Sequence, residues 1–147
     1  MKKSGGRAAQ NMDPMRKSQQ QAPLQQLIQS ALLLDRQGKP ADAEKQLRQA
    51  MQLEPKHPDV LNLLGVLCLR SDRLKEGLSL LKKAIKISPK TATYYFNLGN
   101  AYKLANNLKE ARTAFIKAVK YDGMMAAAHK NLGVILSELG QHEAAEE

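Results

Sequence analysis

Residues 92–125 read ATYYFNLGNAYKLANNLKEARTAFIKAVKYDGMM, and the 34-residue step this stretch shares with its neighbours decides the fold. Its Leu98-Gly99 has counterparts in Leu64-Gly65 and Leu132-Gly133 at that same step. Ala50, Ala84 and Ala118 keep it too, as do Pro55 and Pro89, with Gly123 where a third proline would fall. Self-similarity at this length marks a helical solenoid, because a unit of two short helices cannot bury its apolar face alone and must stack on the next. A stack of helix pairs offers a surface rather than a reaction centre.

The units are 24–57, 58–91, 92–125 and a partial 126–147. Within unit three, Tyr95, Leu98, Ala101 and Tyr102 lie on one face of a first helix, and Leu108, Ala111, Phe115, Ala118 and Val119 on one face of a second. Asn106-Asn107 separates them, and asparagine tolerates the left-handed conformation that closes a helix. The corresponding break holds Gly38, Ser71-Asp72 and, in the fourth unit, Gly140. Pro55 and Pro89 end second helices, since proline withholds an amide donor and moves its predecessor out of the helical region. A glycine inside a helix costs about 1 kcal/mol relative to alanine. Its repeated use at Gly65, Gly99 and Gly133 therefore predicts a close helix crossing, with Ala43, Gly77 and Ala111 as facing residues and Ala50, Ala84 and Ala118 against the next unit.

Composition bounds the rest. With 147 residues, 43% hydrophobic and 4% aromatic, the chain fits one aliphatic-cored domain. The single cysteine, Cys68, excludes an internal disulfide, and it shares its column with Leu34, Tyr102 and Leu136, which makes it a core residue. No apolar run approaches the roughly 20 residues needed to span a bilayer, and no apolar stretch follows the basic start, so a cytoplasmic address is the default. Of the +9 formal charge, a large part sits in residues 1–23, where Lys2, Lys3, Arg7, Arg16 and Lys17 oppose Asp13 alone. This Gln-, Ser-, Lys- and Gly-rich segment is expected to be a disordered solubilising tail ahead of the repeat domain 24–147.

The order of a bulky residue, Leu-Gly, an aromatic, Ala, a bulky residue, Ala and Pro resembles the tetratricopeptide repeat family. Unit three matches best, with Tyr95, Leu98, Gly99, Tyr102, Ala111, Phe115 and Ala118. The resemblance implies an all-α, right-handed superhelical solenoid of antiparallel helix pairs, whose first helices line a concave groove that grips peptides or partner helices. Asn97-Leu98-Gly99-Asn100-Ala101-Tyr102 and Asn131-Leu132-Gly133 are further similar to the repeats of bacterial proteins related to protein O-glycosyltransferases, and related chains carry such an arm before a sulfotransferase domain. Arms of the glycosyltransferase kind use a ladder of asparagines to hold substrate backbone, and the resemblance maps that ladder onto Asn97 and Asn131.

The function expected is a protein-interaction module that binds a peptide or partner segment on its concave face. Its candidate contacts are Asn62, Val66, Arg70, Phe96, Asn97, Asn100, Lys103, Lys130, Asn131 and Val134, which project from first helices away from the core columns. Asparagine offers both a donor and an acceptor to a peptide group, so Asn97, Asn100 and Asn131 would grip backbone. Phe96 and the valines would add apolar contact, and Arg70, Lys103 and Lys130 would favour acidic segments. The family's clamp for a C-terminal carboxylate is incomplete, since Phe96 stands where it requires lysine. The alternative is the N-terminal substrate-recruiting arm of a glycosyltransferase or sulfotransferase whose catalytic domain lies beyond residue 147.

No catalytic residue, metal site or cofactor is expected. His57 lies in a loop, His129 and His142 occupy packing columns, and no metal-ligand spacing connects them. Lys82, Lys83, Lys86, Lys90, Lys109, Arg112, Lys117 and Lys120 form a basic stripe on second helices, which reads as a solvated face rather than a nucleic-acid site because no aromatics interleave. The fourth unit has a first helix, Ala127–Leu139, with Leu132, Ile135, Leu136 and Leu139 apolar, and almost no second one, so its leucines are expected to face water. The reading is the N-terminal part of a longer chain, with self-association through this uncapped end as the alternative.

Overall fold

The computed structural model describes residues 14–146, and seven helices with no strand are found among them. They are α1 (Pro14–Arg36), α2 (Pro40–Leu53), α3 (Pro58–Arg70), α4 (Leu74–Ile87), α5 (Ala92–Leu104), α6 (Leu108–Tyr121) and α7 (Ala126–Glu146). The architecture is an all-α helical-repeat solenoid. Two bodies are distinguished, one reaching Pro55 and one starting at Lys56. In the first, α1 packs on α2, with Leu24, Ile28 and Ala31 buried on one helix and Ala43, Leu47 and Ala50 on the other. In the second, α3 packs on α4, α4 on α5, α5 on α6 and α6 on α7, while the first helices α3 and α5 also touch.

The breaks between helices repeat as closely as the helices do. Gly38, Asp72 and Asn106 take left-handed backbone, with φ of 75°, 61° and 59°. One residue later, the amides of Lys39, Arg73 and Asn107 reach back to the carbonyls of Leu34, Cys68 and Tyr102, each at 2.9 Å. This is the six-to-one bond of a Schellman motif, which satisfies a carbonyl the ending helix leaves without a partner. Second helices end on the alanine column: Glu54, Ser88 and Asp122 donate to the carbonyls of Ala50, Ala84 and Ala118 at 3.0, 2.9 and 2.9 Å. Pro40 and Pro58 open their helices, where a missing amide hydrogen loses nothing.

Two of the three glycine crossings are present. A Cβ on Gly65 would lie 2.9 Å from Leu81 Cγ and 3.2 Å from the carbonyl oxygen of Gly77, the facing residue expected. On Gly99 it would lie 2.6–2.8 Å from three ring carbons of Phe115, which takes the place expected for Ala111. Gly133 differs, because nothing lies within 4 Å of its Cβ position. α7 runs unbroken through Gly140 to Glu146, so the turn expected there is not made, and among the described residues no second helix packs against Gly133. Glycine permits a left-handed turn without forcing one, and a turn is held only when the next helix packs back.

Two further expectations are corrected. Ile135 and Leu139 are buried, at 0 and 9% exposure, in a cluster with Ala111 and Phe115, and Leu132 packs against that cluster. Leu136 alone of the three leucines is exposed, at 50%. The first helix starts at Pro14 and contains Pro23, so residues 14–23 belong to α1 rather than to a tail. Gln, Arg, Lys and Met are good helix formers even where no apolar stripe reveals a buried face. The rest of the expected tail, residues 1–13, lies outside the described residues.

Candidate functional site

Steps of three and four along a helix align Asn62, Val66 and Arg70 on α3, Phe96, Asn97, Asn100 and Lys103 on α5, and Lys130, Asn131 and Val134 on α7. The structure joins four of them in pairs. Asn97 Nδ2 donates to Asn62 Oδ1 at 2.9 Å, linking α5 to α3. Asn131 Nδ2 donates to Asn100 Oδ1 at 2.9 Å, linking α7 to α5. Asn97 and Asn131 occupy the same repeat position, and each donates to an asparagine on the preceding first helix. The acceptors are not equivalent, for Asn62 shares its column with Phe96, and Asn100 shares its column with Val66 and Val134.

The remaining members fall into two groups. Arg70, Lys103 and Lys130 are exposed, Val134 is 38% exposed and Val66 is half-buried. Phe96, expected as an apolar contact for a ligand, instead turns partly into the core: its ring lies 6.0 Å from that of Phe115 and packs against two buried clusters. Asn62, expected on the open face, is 7% exposed. Its burial is offset by the bond from Asn97, because a buried amide without a partner costs about 1–3 kcal/mol.

A third cross-helix pair escaped the sequence reading. The Tyr94 hydroxyl donates to Asp59 Oδ1, again from α5 to α3. Asp59 to Tyr94 and Asn62 to Asn97 are both steps of 35, one more than the repeat, and that step was the available signal. Tyr95 donates to the Pro89 carbonyl at 2.7 Å and stacks on Tyr121 with ring centres 5.5 Å apart. Burial raises the Tyr94 hydroxyl above the ordinary tyrosine range, helped by its bond to Asp59 and by the charge there. Tyr95 is raised too, by burial and then by Tyr121.

These shifts imply an alkaline limit to stability. Below the ordinary tyrosine pKa of about 10, both folded and unfolded chains hold the phenolic protons. Above it the unfolded chain releases them and the folded chain does not, so stability falls as pH rises toward the folded values. Urea midpoints measured from neutral to strongly alkaline pH should decline beyond about pH 10. Tyr94→Phe should flatten that decline while removing about 0.5–1.5 kcal/mol at neutral pH. An unchanged alkaline slope in the variant would rule out this assignment.

The chemistry of the face is that of hydrogen bonding to amides. A primary amide has two donor hydrogens and an acceptor oxygen, and each pair uses one of each. Acceptor oxygens therefore remain on Asn97 and Asn131, and a donor group on Asn100. No cluster of metal-ligating side chains occurs among the described residues. His57 Nδ1 accepts from the Val60 amide at 3.4 Å, which makes it a helix cap. His129 is exposed rather than packed, and its Nε2 lies 2.9 Å from the Gly123 carbonyl. Cys68 is buried, and no described helix is long and apolar enough to cross a membrane.

Two family models described as tetratricopeptide repeat match residues 36–102 and 92–123, together more than half of the chain. Among solved structures, an O-GlcNAc transferase mutant from Thermobaculum terrenum aligns with 80% of this chain at 26% identity and a TM-score of 0.78, and this chain spans 22% of its length. The Sgt2 TPR domain from Aspergillus fumigatus aligns with 97% of this chain and 90% of its own, at 17% identity and a TM-score of 0.80. The first TPR of Spaghetti (RPAP3), bound to the HSP90 peptide SRMEEVD, aligns with 81% of this chain and 94% of its own, at 18% identity and a TM-score of 0.77. The last two likenesses concern fold alone. No curated protein matches the chain.

Proposed function

The chain belongs to the tetratricopeptide repeat family, and on that premise we propose that it is a cytoplasmic adaptor that holds an extended peptide across α3, α5 and α7. The observation that carries this reading is the pair of asparagine bridges. They fix amide groups at two successive helix junctions and leave acceptors on Asn97 and Asn131 and a donor on Asn100. Groups so placed bind main chain irrespective of side chain. Arg70, Lys103 and Lys130 add positive charge beside them, which favours acidic segments. The RPAP3 domain was solved with a peptide ending in Glu-Glu-Val-Asp. In the present chain the partly buried Phe96 stands where a carboxylate clamp needs lysine, which favours an internal stretch over a chain terminus.

Asn97→Ala combined with Asn131→Ala tests the proposal against a peptide obtained by pull-down and titrated by calorimetry. Each lost backbone contact is worth about 1 kcal/mol net, so affinity should fall roughly tenfold or more. The domain should stay folded but lose about 1–2 kcal/mol, because Asn62 loses its donor. Unchanged affinity in the folded variant would place the groove elsewhere.

A second reading rests on the O-GlcNAc transferase alignment, which reaches 26% identity over 80% of this chain. In it the same face recruits the substrate of a glycosyltransferase or sulfotransferase domain. The coding sequence after Glu147 distinguishes the two: a transferase domain in frame supports the arm, and a stop codon excludes it.

A further inference from the structure

The asparagine pairs lie on first helices, and the positive charge lies on second ones. α4 carries Lys75, Lys82, Lys83 and Lys86 against Glu76, and α6 carries Lys109, Arg112, Lys117 and Lys120 against Glu110. Three lysines recur in register at the 34-residue step, as Lys75 and Lys109, Lys83 and Lys117, and Lys86 and Lys120. All seven lysines of the two helices are exposed, and among the described residues none has a carboxylate partner, Glu76 being paired with Arg73 at 3.7 Å. Lys82, Lys117 and Lys120 lie over the rings of Tyr102, Tyr95 and Tyr121 at 5.5–5.6 Å, which holds their stems in place. An open basin of about 500 Å³ is lined on α4 by Lys75, Leu78, Ser79, Lys82, Lys83 and Lys86.

Large apolar side chains are exposed within this array. Ile87 follows Lys83 by four residues and is 42% exposed. Ile116 sits four residues from both Arg112 and Lys120 and is 49% exposed. Met124 follows Lys120 by four, in the loop before α7, and is 92% exposed. Positions four apart on a helix are neighbours on one face, which sets Ile87 and Ile116 beside those lysines, while Met124 lies just beyond the end of α6. Interleaved lysines and exposed apolar groups suit a surface that is anionic outside and apolar just beneath, since ammonium groups gain at the headgroups and apolar side chains at the acyl boundary. A nucleic acid would use the charge and gain nothing from the isoleucines and methionine. It would also lack stacking partners, because Tyr95 is buried, Tyr121 stacks on it and Lys82 lies over Tyr102.

We propose that the second-helix face formed by α4, α6 and the loop at Met124 docks on an anionic lipid surface, leaving the first-helix asparagines available to a peptide. Cosedimentation of the full chain with vesicles of phosphatidylcholine, with and without phosphatidylserine, tests this. Binding should require phosphatidylserine. Each lysine near such a surface is worth roughly fivefold in affinity, so the quadruple Lys83→Glu, Lys86→Glu, Lys117→Glu, Lys120→Glu variant should lose at least about 100-fold. Ile87→Ser, Ile116→Ser and Met124→Ser together should weaken vesicle binding by about tenfold or more and leave retention on a heparin column unchanged. Three results would overturn the proposal. One is equal binding to both vesicle types. Another is loss of binding on neutralising Lys2, Lys3, Arg7, Arg16 and Lys17 but not on reversing the stripe. The third is an apolar variant that binds vesicles as tightly as the original chain. All the stripe and apolar substitutions are at exposed positions, and an unchanged helical circular dichroism spectrum verifies that the fold is intact.

Discussion

Gly99→Ala should lower stability by about 1–3 kcal/mol, while Gly133→Ala should leave it unchanged or raise it by up to about 1 kcal/mol. The two glycines hold the same place in successive repeats, so a difference of sign cannot come from the motif. At Gly99 the added methyl would sit 2.6–2.8 Å from the Phe115 ring, inside contact distance. Phe115 is fully buried and cannot swing away without disturbing Phe96 and Ile135. At Gly133 the space is empty, and what remains is the ordinary gain from replacing a helical glycine. Gly99→Leu should be worse still, and Lys83→Ala, on an exposed face, should change stability by less than about 0.5 kcal/mol. Urea unfolding of the four variants checks the order. Equal losses at Gly99 and Gly133 would mean that α7 is packed on that side as α5 is.

The periodic positions were legible because they serve packing, which recurs identically from unit to unit. Leu64-Gly65, Leu98-Gly99 and the alanines at 50, 84 and 118 announced helix pairs and a close crossing, and the left-handed turns at Gly38, Asp72 and Asn106 follow from residues that tolerate them. Misreadings arose where a residue type allows more than one outcome. Gly140 could have turned the chain, yet α7 continues through it. Residues 14–23 carry no apolar stripe, so a helix built from polar residues left no pattern to read.

Legibility was poorer at the candidate face. Helical spacing placed Asn97 and Asn131 on first helices, but it could not show how far one first helix is shifted along the next. Asn97 meets Asn62 at a step of 35 and Asn131 meets Asn100 at a step of 31, so no single offset gives both pairs. The step of 35 also brings Tyr94 to Asp59. Phe96 shows the complementary problem. Its column holds Asn62 in the preceding repeat, so it read as a surface position, yet its aromatic ring is long enough to reach Phe115 and packs partly against the core.

Phe115→Ala should be among the most damaging single truncations in the second body, at about 3–5 kcal/mol. The ring is fully buried and joins three helices: it fills the space over Gly99 on α5, groups with Ala111 on its own α6 and meets Ile135 and Leu139 on α7. In a solenoid each unit is stabilised by its neighbours alone, so the loss should be felt locally before it is felt globally. Amides of α7 and of the facing turns of α6 should exchange faster by roughly two to three orders of magnitude, and those of α3 and α4 much less. Acceleration by the same factor in all five helices would show one cooperative unit and overturn the nearest-neighbour picture for this body. The cavity also predicts a coupling with the first experiment. With the ring removed, a methyl at Gly99 meets space instead of carbon, so Gly99→Ala should be far less harmful on the Phe115→Ala background than alone. If the two losses simply add, the clash at Gly99 lies with some atom other than Phe115.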